Sequence, residues 1–407
     1  MVGGTAAAGG HAGPTPGPVR VPVVVVGAGL AGRMAAVTAA EHRRVVLVTD
    51  GPLARSNSVM AQGGLHVPRP EPGDAEAMID DLARSARVPV DLARARALVQ
   101  DAADVTDQLV SWGLELDRLP DGGLRRLRAG GMSSARVLTI GDSVGPPLLA
   151  LLGRRLDAVD VRTHTAVTDL RPAGDHVVVV CDPGPDLAAE VVVVATGGGS
   201  WGHAEDTDTR TTNPRNRNHE FQRVLDRLGV ATVDEDRWQY QPFGLVDGPP
   251  GPPGRCVPET LASSGPRLLD RHGDELVALP ADRLAITRAM FDHVDTRGVE
   301  GPHGPGFRLT LSDVPVARIR TEYPRAAHTL ELMGALGGDV LVMPFLHYQL
   351  GGVVVDVDQR TSVDRVLAAG EVTGGLHGRN RLMGAGVTEA LVSGRRAGRT
   401  AVEITGA

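Results

Sequence analysis

Three glycines near the start of the chain have the spacing of a nucleotide-binding turn. Gly27, Gly29 and Gly32 form the pattern GxGxxG directly after a β-branched run at 21–26 and before an alanine-rich segment of helical length. In this setting the first glycine makes a tight turn, the second lets the backbone approach a pyrophosphate, and the third lets helix and strand pack closely. The pattern predicts dinucleotide binding at the helix N-terminus, with a glycine-rich turn that binds nothing as the alternative.

Polar side chains that could hold other parts of such a cofactor follow later predicted strands. Asp50 ends the strand at 45–48, where an acid commonly binds a ribose, and Thr49 is the alternative there. A strand that runs into ATGGG at 195–199 brings a second glycine-rich backbone towards the cofactor. Glu371 follows the strand-like VLAAG and could accept a hydrogen bond from a cofactor hydroxyl, or could be a solvated strand end.

The order of the predicted elements indicates an α/β fold. Strand, helix and strand over 21–48 form a βαβ opening. Leucine, valine and alanine then recur at helical spacing, and further short apolar runs read as strands. The helices are expected at 74–113 and 143–157, and the strands near 159–170, 176–181 and 190–195.

The sequence pattern changes between residues 237 and 345. Proline and glycine clusters such as GPPGPPG occur there, and they interrupt the alternation of predicted strands and helices. We therefore predict a discontinuous Rossmann-like domain, made of 21–236 and 346–407, with an inserted α+β capping domain at 237–345. A closing helix is expected from about Gly384 to Val402. Residues 1–20, rich in glycine, alanine and proline, are predicted to be a disordered tail.

The composition favours small-molecule chemistry. The formal net charge of -7 is spread along the chain, which gives no reason to expect nucleic acid or an anionic membrane as a partner. No apolar run approaches the roughly 18 residues of a membrane span, and the start lacks a signal peptide, so a cytoplasmic location is expected. With only Cys181 and Cys256 present, a four-cysteine iron–sulfur or zinc site is excluded and no metal is expected.

Several longer motifs occur in a fixed order from about residue 20 to 402. They are LVTDGPLARSNSVMAQGGL, GGMSSARVLTIGDSVG, ATGGG followed by TNP, WQYQPF, LHYQLGGVVVD and GEVTGGLHGRNRLMGAGVTEALVSGRRAG. This set resembles the flavoprotein family of L-aspartate oxidase, fumarate reductase and succinate dehydrogenase, and its pattern is nearest to L-aspartate oxidase. Longer members carry a further C-terminal helical region, which this chain lacks, so no iron–sulfur partner protein is expected.

The resemblance implies bound FAD. Succinate dehydrogenases and membrane fumarate reductases attach FAD covalently to a histidine in the stretch that matches SNSVMAQGG, and Asn57 stands at that position, so non-covalent FAD is implied. The glycine motif and the resemblance together give the expected cofactor-binding residues. They are Gly27, Ala28, Gly29, Leu30, Ala31, Gly32, Thr49, Asp50, Ser56, Asn57, Ser58, Ala61, Gln62, Gly63, Gly64, Ala166, Val167, Ala195, Thr196, Gly197, Glu220, Glu371, Arg381, Gly384, Gly386 and Val387.

The resemblance also assigns substrate chemistry to particular side chains. Arg381 in GRNR and His347 in LHYQLGG would hold substrate carboxylate oxygens, and Arg283 in ADRLAITRAM would be the acid/base. A guanidinium, with a free pKa above about 12, can exchange a proton only in a strongly perturbing environment. The alternatives are a surface salt bridge for Arg283, a buried structural histidine for His347 and a loop clamp for Arg381. Gln241 and Glu259 complete the expected substrate contacts.

The sequence departs from the family pattern at several positions near the substrate. QYHPT reads QYQPF, which puts Gln241 in the place of a substrate-facing histidine, and RGEG is replaced by ASSG at 262–265. Met132 stands for the histidine of GGHS and leaves Ser133, while Glu220 takes the place of the acid in GDG. Because fewer cationic or proton-bearing groups remain for a second carboxylate, a small acid other than a simple dicarboxylate is a possible substrate.

The leading hypothesis is an L-aspartate-oxidase-like enzyme, in which a small amino acid or carboxylic acid loses hydride to flavin N5 and becomes an imine or alkene. One alternative is a fumarate-reductase-like reductase or α,β-desaturase in specialised metabolism. The absence of RGEG argues against efficient proton delivery to an alkene, which favours oxidation. Another alternative is a catalytically decayed flavin-binding partner protein. The electron acceptor and the oligomeric state stay open.

Overall fold

The computed structural model describes residues 17–248 and 253–406. Most of the predicted tail, 1–16, lies outside this range, while its last two residues already belong to the first strand. The elements up to residue 233 are β1 (Val19–Val26), α1 (Leu30–Ala40), β2 (Val45–Val48), β3 (Leu65–His66), α2 (Asp74–Ala86), α3 (Leu92–Ser111), β4 (Arg126–Leu127), β5 (Val137–Leu138), α4 (Gly145–Gly153), β6 (Val159–Arg162), β7 (Ala166–Pro172), β8 (Val177–Asp182), β9 (Leu187–Val194), α5 (Ser200–Thr207), α6 (Asn218–Leu228) and β10 (Thr232–Val233).

The rest of the chain continues with a second group of strands and helices and then returns to the first. These elements are β11 (Trp238–Leu245), α7 (Glu259–Ala262), β12 (Leu268–Leu269), β13 (Glu275–Val277), α8 (Arg283–Arg297), β14 (Val299–Gly301), β15 (Gly304–Leu309), α9 (Val316–Glu322), α10 (Pro324–Leu332), β16 (Val340–Gln349), β17 (Gly352–Val353), β18 (Val366–Ala368) and α11 (Ala385–Ile404).

The main sheet has the strand order β6-β2-β1-β9-β8-β7, and β18 pairs with the second half of β9. Strands β6, β2, β1, β9 and β18 run parallel, whereas β7 and β8 add an antiparallel edge. Its central strands are runs of buried valine, as expected for a parallel sheet covered on both faces. Helices α1 and α11 pack on one another over this sheet. The fold class is therefore the predicted α/β class with a parallel sheet.

A second, antiparallel sheet is built from residues 238–349, which we call the cap. Its order is β11-β16-β15-β12-β13, with β14 paired to β15, and its core includes Phe243, Met290 and Phe307. Strand β16 extends to Gln349, past the predicted boundary at 345, and β10 pairs with β17 beside it. The predicted division into a discontinuous cofactor domain and a capping domain stays a prediction.

The helical segment predicted at 74–113 is divided into α2 and α3. Arg87, at the end of α2, has a φ of 60°, and Pro89 follows it, so the backbone cannot continue the helix. Asp91 then starts α3 by accepting a hydrogen bond from the Arg94 N–H at 3.0 Å. Helical periodicity identifies both helices, but it carries no information on the break between them.

A buried ionic cluster fixes α2 to the strand β5 region. Arg136 is fully buried, and its guanidinium donates to Asp74 at 2.7 Å and to Asp81 at 2.5 Å. Burial alone would raise the pKa of Asp74, but hydrogen bonds from Arg136 and Arg69 hold it below its usual range. The Ser133 N–H and hydroxyl both donate to Asp81, so the serine that remains from the family's GGHS motif belongs to this cluster.

Within the part of the chain that the structure describes, no helix combines the length and the apolar character that crossing a bilayer requires. In the same residues, no group of three or more histidine, cysteine, aspartate or glutamate side chains is arranged to hold a metal ion.

Replacing Arg136 should test how much the buried cluster contributes to stability. Arg136→Met leaves two carboxylates buried without their cation, and we expect the free energy of unfolding to fall by about 3–5 kcal/mol. Arg20→Met, which removes an exposed pair with Asp175, should cost less than about 1 kcal/mol. Denaturant-unfolding curves of the two variants provide the comparison, and equal losses would contradict the assignment.

Candidate active site

One long cavity of about 480 Å³ runs from the carboxyl ends of β1 and β2 to the cap. Its size is in the range of small-molecule sites, about 300–1,000 Å³. The predicted cofactor and substrate residues line it, apart from Gly32 and Gly64. Those that line it are Gly27, Ala28, Gly29, Leu30, Ala31, Thr49, Asp50, Ser56, Asn57, Ser58, Ala61, Gln62, Gly63, Ala166, Val167, Ala195, Thr196, Gly197, Glu220, Gln241, Glu259, Arg283, His347, Glu371, Arg381, Gly384, Gly386 and Val387.

The glycine turn lies where β1 meets α1. Gly27 has a φ of +106°, and a Cβ there would lie 2.3 Å from the Ala195 carbonyl oxygen, so any side chain would push the ends of β1 and β9 apart. A Cβ on Gly32 would lie 1.8 Å from the Gly27 oxygen. Gly32 therefore acts by close packing of helix and strand and does not line the cavity, as the motif predicts for its third glycine.

Gly64 also lies off the cavity, for a different reason. Its φ is +92°, and a Cβ would lie 2.2 Å from the Leu138 carbonyl oxygen, so it makes a tight turn against β5. The sequence placed Gly64 among the cofactor contacts because it continues the AQGG motif. Its position supports the segment that precedes it and gives no direct contact with the cavity.

The end of β2 provides the predicted acid. Asp50 lines the cavity, and its carboxylate lies 3.5 Å from the Arg55 guanidinium, while the neighbouring Thr49 is buried. On the opposite side, Glu220 in α6 also lines the cavity but is bound by Arg217, with the Arg217 Nε at 2.8 Å from its carboxylate. Asp50 is therefore better placed than Glu220 to accept a ribose hydroxyl.

The segment Ser56–Gly63, here called the strap, crosses the cavity beside the start of α1. The Ser58 hydroxyl accepts a hydrogen bond from the Leu30 N–H at 3.1 Å, which ties the strap to the helix N-terminus. Buried polar atoms of the Ser56 hydroxyl and the Asn57 amide have no hydrogen-bond partner within residues 17–248 and 253–406. Buried polar groups are normally paired, so these atoms fit contacts to a bound polar cofactor.

Glu371 lies farther along the cavity, after β18. Its Oε1 accepts a hydrogen bond from the Gln349 N–H at 3.1 Å. Burial raises the pKa of Glu371 to about 7, although that hydrogen bond and the charge of Arg381 act in the opposite direction. With a pKa near neutrality, this carboxyl group can accept a hydrogen bond as the carboxylate and donate one as the acid. The role of Glu371 in binding a cofactor stays a prediction.

Arg283 is the first residue of α8 and points into the cavity between two partners. Its Nε donates to the Glu259 carboxylate at 2.5 Å, and its Nη1 donates to the side-chain carbonyl oxygen of Gln239 at 2.9 Å. The Gln239 amide nitrogen in turn donates to Asn380 Oδ1 and to the Arg381 carbonyl oxygen, each at 3.0 Å. Gln239 therefore joins Arg283 of the cap to the loop that carries Arg381.

His347 is placed by an irregularity in the cap sheet. Gln239 pairs with Tyr348, but the next residue, Tyr240, pairs with Leu346, so His347 is an extra residue in β16. Such a bulge redirects a side chain out of the regular alternation. The imidazole Nδ1 lies 2.7 Å from the Thr212 hydroxyl. Burial, with the charges of Arg283 and Arg381, lowers the pKa of His347 well below its usual value, so the ring is neutral.

Arg381 is almost completely buried and lies against Tyr348. Its guanidinium carbon is 4.3 Å from the centre of the Tyr348 ring. The Tyr348 hydroxyl donates to Glu389 at 3.0 Å, and the same carboxylate oxygen lies 2.8 Å from His377 Nε2. The Arg381 Nε is buried without a partner among the described residues, so this cation is available to an anionic ligand.

Several residues of the cavity were not identified from the sequence. Arg325 of α10 and Cys256 both line it, close to Gln62 of the strap. Neither lies in a segment that indicated a site, and they reach the cavity only because the cap folds over the strap. Tyr348 was inside the quoted motif LHYQLGG, but its role as a support for Arg381 needed the packing.

The FAD binding domain family matches residues 22–387 of the sequence. L-aspartate oxidase of Mycobacterium tuberculosis is 30% identical over 407 residues, covering 93% of this chain and 73% of the relative. The chain belongs to the FAD-dependent oxidoreductase family of L-aspartate oxidase and fumarate reductase. One component of the fumarate reductase (CoM/CoB) of Methanothermobacter marburgensis is 28% identical, covering 94% of this chain and 72% of the relative.

The solved structures agree with this fold. The FrdA chain of E. coli quinol fumarate reductase has a TM-score of 0.86 at 23% identity and covers 96% of this chain and 71% of its own. Membership of this flavoprotein family establishes an FAD-dependent enzyme. The M. marburgensis relative is named as one component of a larger enzyme, so the expectation that this chain has no iron–sulfur partner stays a prediction.

The cavity fits FAD on features of this chain. The glycine turn leaves room where the backbone must approach a pyrophosphate, Asp50 can accept ribose hydroxyls, and the unpartnered polar atoms of Ser56 and Asn57 lie farther along. Glu371 offers a buried acceptor beyond them. The predicted cofactor contacts and the predicted substrate residues thus line the same cavity.

Since Asn57 cannot form the histidine linkage, unfolding should release the flavin. Acid or heat denaturation of the purified protein, followed by filtration, should transfer all of the flavin absorbance to the filtrate, where chromatography should identify it as FAD. Flavin that stays with the precipitated chain would contradict the non-covalent assignment.

Glu371 should make the stability of the cofactor-free protein depend on pH. Its pKa is raised from 4.5 to about 7 by burial, so its contribution is fully present below the unfolded pKa and is lost as the pH rises through the folded value. Between about pH 5 and about pH 8, the wild type should lose on the order of 2 kcal/mol of unfolding free energy relative to Glu371→Gln. Parallel unfolding-free-energy profiles of the two proteins would contradict this assignment.

Proposed function

We propose that the protein oxidises a small amino acid or carboxylic acid at the carbon next to its carboxylate. The observation that carries this proposal is the grouping of Arg283, His347 and Arg381 in one cavity, where burial and the charges of both arginines lower the pKa of His347. A buried group of cations with a neutral imidazole is suited to orient a carboxylate.

In this proposal, Arg381 and His347 bind the substrate carboxylate. The buried Arg381 guanidinium has an unpartnered Nε among the described residues and is held from behind by the Tyr348 ring. The neutral His347 is fixed through its Nδ1 by Thr212, which leaves the other ring nitrogen for a substrate oxygen. Charge-assisted hydrogen bonds of this kind fix the orientation of the acid as well as its position.

The reaction removes a hydride and a proton from neighbouring atoms of the substrate. Bound FAD supplies the acceptor for the hydride at flavin N5, which takes up both electrons. The proton leaves the adjacent nitrogen or carbon and is taken up at Arg283. An arginine can do this only if it passes a proton on, and its Nε–H already donates to the Glu259 carboxylate at 2.5 Å. Glu259 is therefore the final acceptor, and an imine or alkene is the product.

The reverse reaction, reduction of an α,β-unsaturated acid, is the second candidate. It is supported by the 28% identity to a component of fumarate reductase (CoM/CoB). Against it, the segment that carries RGEG in the family is here ASSG, and its Ser264 hydroxyl is bound to Tyr323 at 2.8 Å, away from proton transfer. Anaerobic mixing separates the two: oxidation predicts bleaching of the flavin by a saturated acid, and reduction predicts reoxidation of reduced enzyme by fumarate.

Replacing the two arginines should separate proton transfer from binding. Arg283→Met removes the proton acceptor and should lower the rate of anaerobic flavin bleaching by a factor of about 10²–10⁴. Arg381→Met removes a charged hydrogen bond to the carboxylate and should weaken acid binding by roughly 10- to 100-fold. Stopped-flow traces at the flavin band, recorded over a range of acid concentrations, give both quantities.

Arg288→Met is the matched control for these variants, because Arg288 is exposed on the same helix α8 and does not line the main cavity. Its bleaching rate should equal that of the wild type. If Arg283→Met also bleached at the wild-type rate, the proton-transfer role would be wrong. If no acid changed the flavin spectrum of any of these proteins, a non-catalytic flavoprotein would be the better description.

A further inference from the structure

One wall of the substrate end of the cavity is made of uncharged polar side chains. Gln62 belongs to the strap, Gln241 to β11, and Cys256 to a short segment that pairs with β11 through Gly244. The Val257 N–H donates to the Phe243 carbonyl oxygen at 2.9 Å, which fixes that segment beside the strand. We call Gln62, Gln241 and Cys256 the neutral wall.

The Gln241 amide is unsatisfied inside this wall. Its residue is only 5% exposed, and its Oε1 is buried without a hydrogen-bond partner among residues 17–248 and 253–406, although the side chain lines the cavity. A buried acceptor without a partner costs about 1–3 kcal/mol, so it is normally paired by something that the protein binds. Gln241 thus offers an acceptor to a donor group on the substrate.

Cys256 adds no charge to the wall. Its Sγ donates to Gln62 Oε1 at 3.3 Å, which gives the thiol a neutral partner. Burial raises the pKa of the Cys256 thiol to about 11, and the neighbouring Gln241 side chain offsets only part of this by hydrogen bonding. At neutral pH the wall is therefore composed of two amides and a thiol, none of which can compensate a buried carboxylate by charge.

Three arginines lie near the wall, and they differ in how far their groups are committed to protein partners. Arg283 is paired with Glu259, so its cation is already neutralised. Arg325 turns its Nη1 towards Ser143 Oγ at 3.2 Å and its Nη2 towards Met60 Sδ at 3.3 Å, which ties it to the protein behind the strap. Arg381 is almost completely buried and has no salt bridge among the described residues, whereas Arg325, which also has none there, is half-buried and directs both Nη atoms to neutral partners.

We infer that the substrate carries one carboxylate, held by Arg381 and His347, and at its other end a neutral carboxamide that pairs with Gln241 in the neutral wall. A carboxamide supplies an N–H for the free Oε1 of Gln241 and an oxygen for a donor of the wall, so both partners are satisfied without charge. A second carboxylate there would meet two amides and a thiol, none of which carries a compensating charge. This inference rests on the proposed oxidation of a small acid and specifies its substrate class.

Matched pairs of acids test the inference on the purified holoenzyme. Asparagine and aspartate differ only in the amide, as do succinamate and succinate. We expect asparagine to bleach the flavin under anaerobic conditions with at least a tenfold higher ratio of rate to dissociation constant than aspartate. Succinamate should perturb the flavin absorption band with at least a tenfold lower dissociation constant than succinate, which gives a readout that does not depend on turnover.

Variants at the wall should change the preference. Gln241→Met keeps a side chain of similar length but removes the amide, and should bring both amide-to-acid ratios to within about threefold of one. Gln241→His introduces a side chain that can be protonated, and should shift the preference towards succinate. Gln222→Met, on the exposed face of α6, is the matched control and should keep the wild-type ratios. Flavin content of each variant reports whether it folds.

Three outcomes decide the matter. A wild-type preference for the amides that Gln241→Met abolishes supports the inference. If aspartate and succinate bind as well as their amides or better, the inference is overturned, while the proposed oxidation still stands. In that case, weaker succinate binding by Arg325→Met would identify Arg325 as the second carboxylate ligand. If none of the four acids changes the flavin spectrum, the proposed function fails and the inference fails with it.

Discussion

Burial of arginine is the physical constraint on which the site depends, because the sequence contains no lysine and several of its arginines are inside the protein. A guanidinium cannot give up its charge as a lysine can, so each buried one must be surrounded by acceptors. Arg136 donates hydrogen bonds to two carboxylates. Arg33 instead donates to backbone carbonyl oxygens, among them those of Ala28 at 2.9 Å and Leu149 at 2.8 Å. These two arginines are fully satisfied and are structural.

The arginines of the substrate end have a different set of partners. Arg283 shares its charge with Glu259 and Gln239, while Arg381 has an aromatic face behind it and an unpartnered Nε among the described residues. The network behind Tyr348, through Glu389 to His377, keeps that ring in place. The protein thus places its polar contacts where they fix the position of Arg381 and leaves its charge for a ligand.

Much of the fold and of the cofactor region could be predicted from the sequence. The valine strands and the glycine turn are local features, so the order of elements and the contacts of Gly27, Asp50 and Glu371 with one cavity followed from their spacing. The break near Pro89 was missed because helical periodicity continues on both sides of it. Gly64 was misplaced because motif membership does not reveal which way a turn faces.

The contributions that sequence reasoning missed all require tertiary contacts. The bulge that places His347 exists only in the pairing of β11 with β16, and Cys256 and Arg325 come to the cavity from segments without a motif. The absence of a histidine at Gln241 was visible from the sequence, but the unpaired Oε1 that gives this change a chemical meaning was not. Side-chain orientation is the information that a linear pattern lacks.

Gln239 has a consequence for the timing of catalysis. It belongs to β11 of the cap, yet one end of its amide holds Arg283 and the other holds Asn380 and the backbone of Arg381. Lifting the cap would move Gln239 and Arg283 together, but it would break the hydrogen bonds to Asn380 and Arg381 and carry Arg283 away from Arg381. Under the proposed reaction, Arg283 and Arg381 would therefore be together only while the cap is closed.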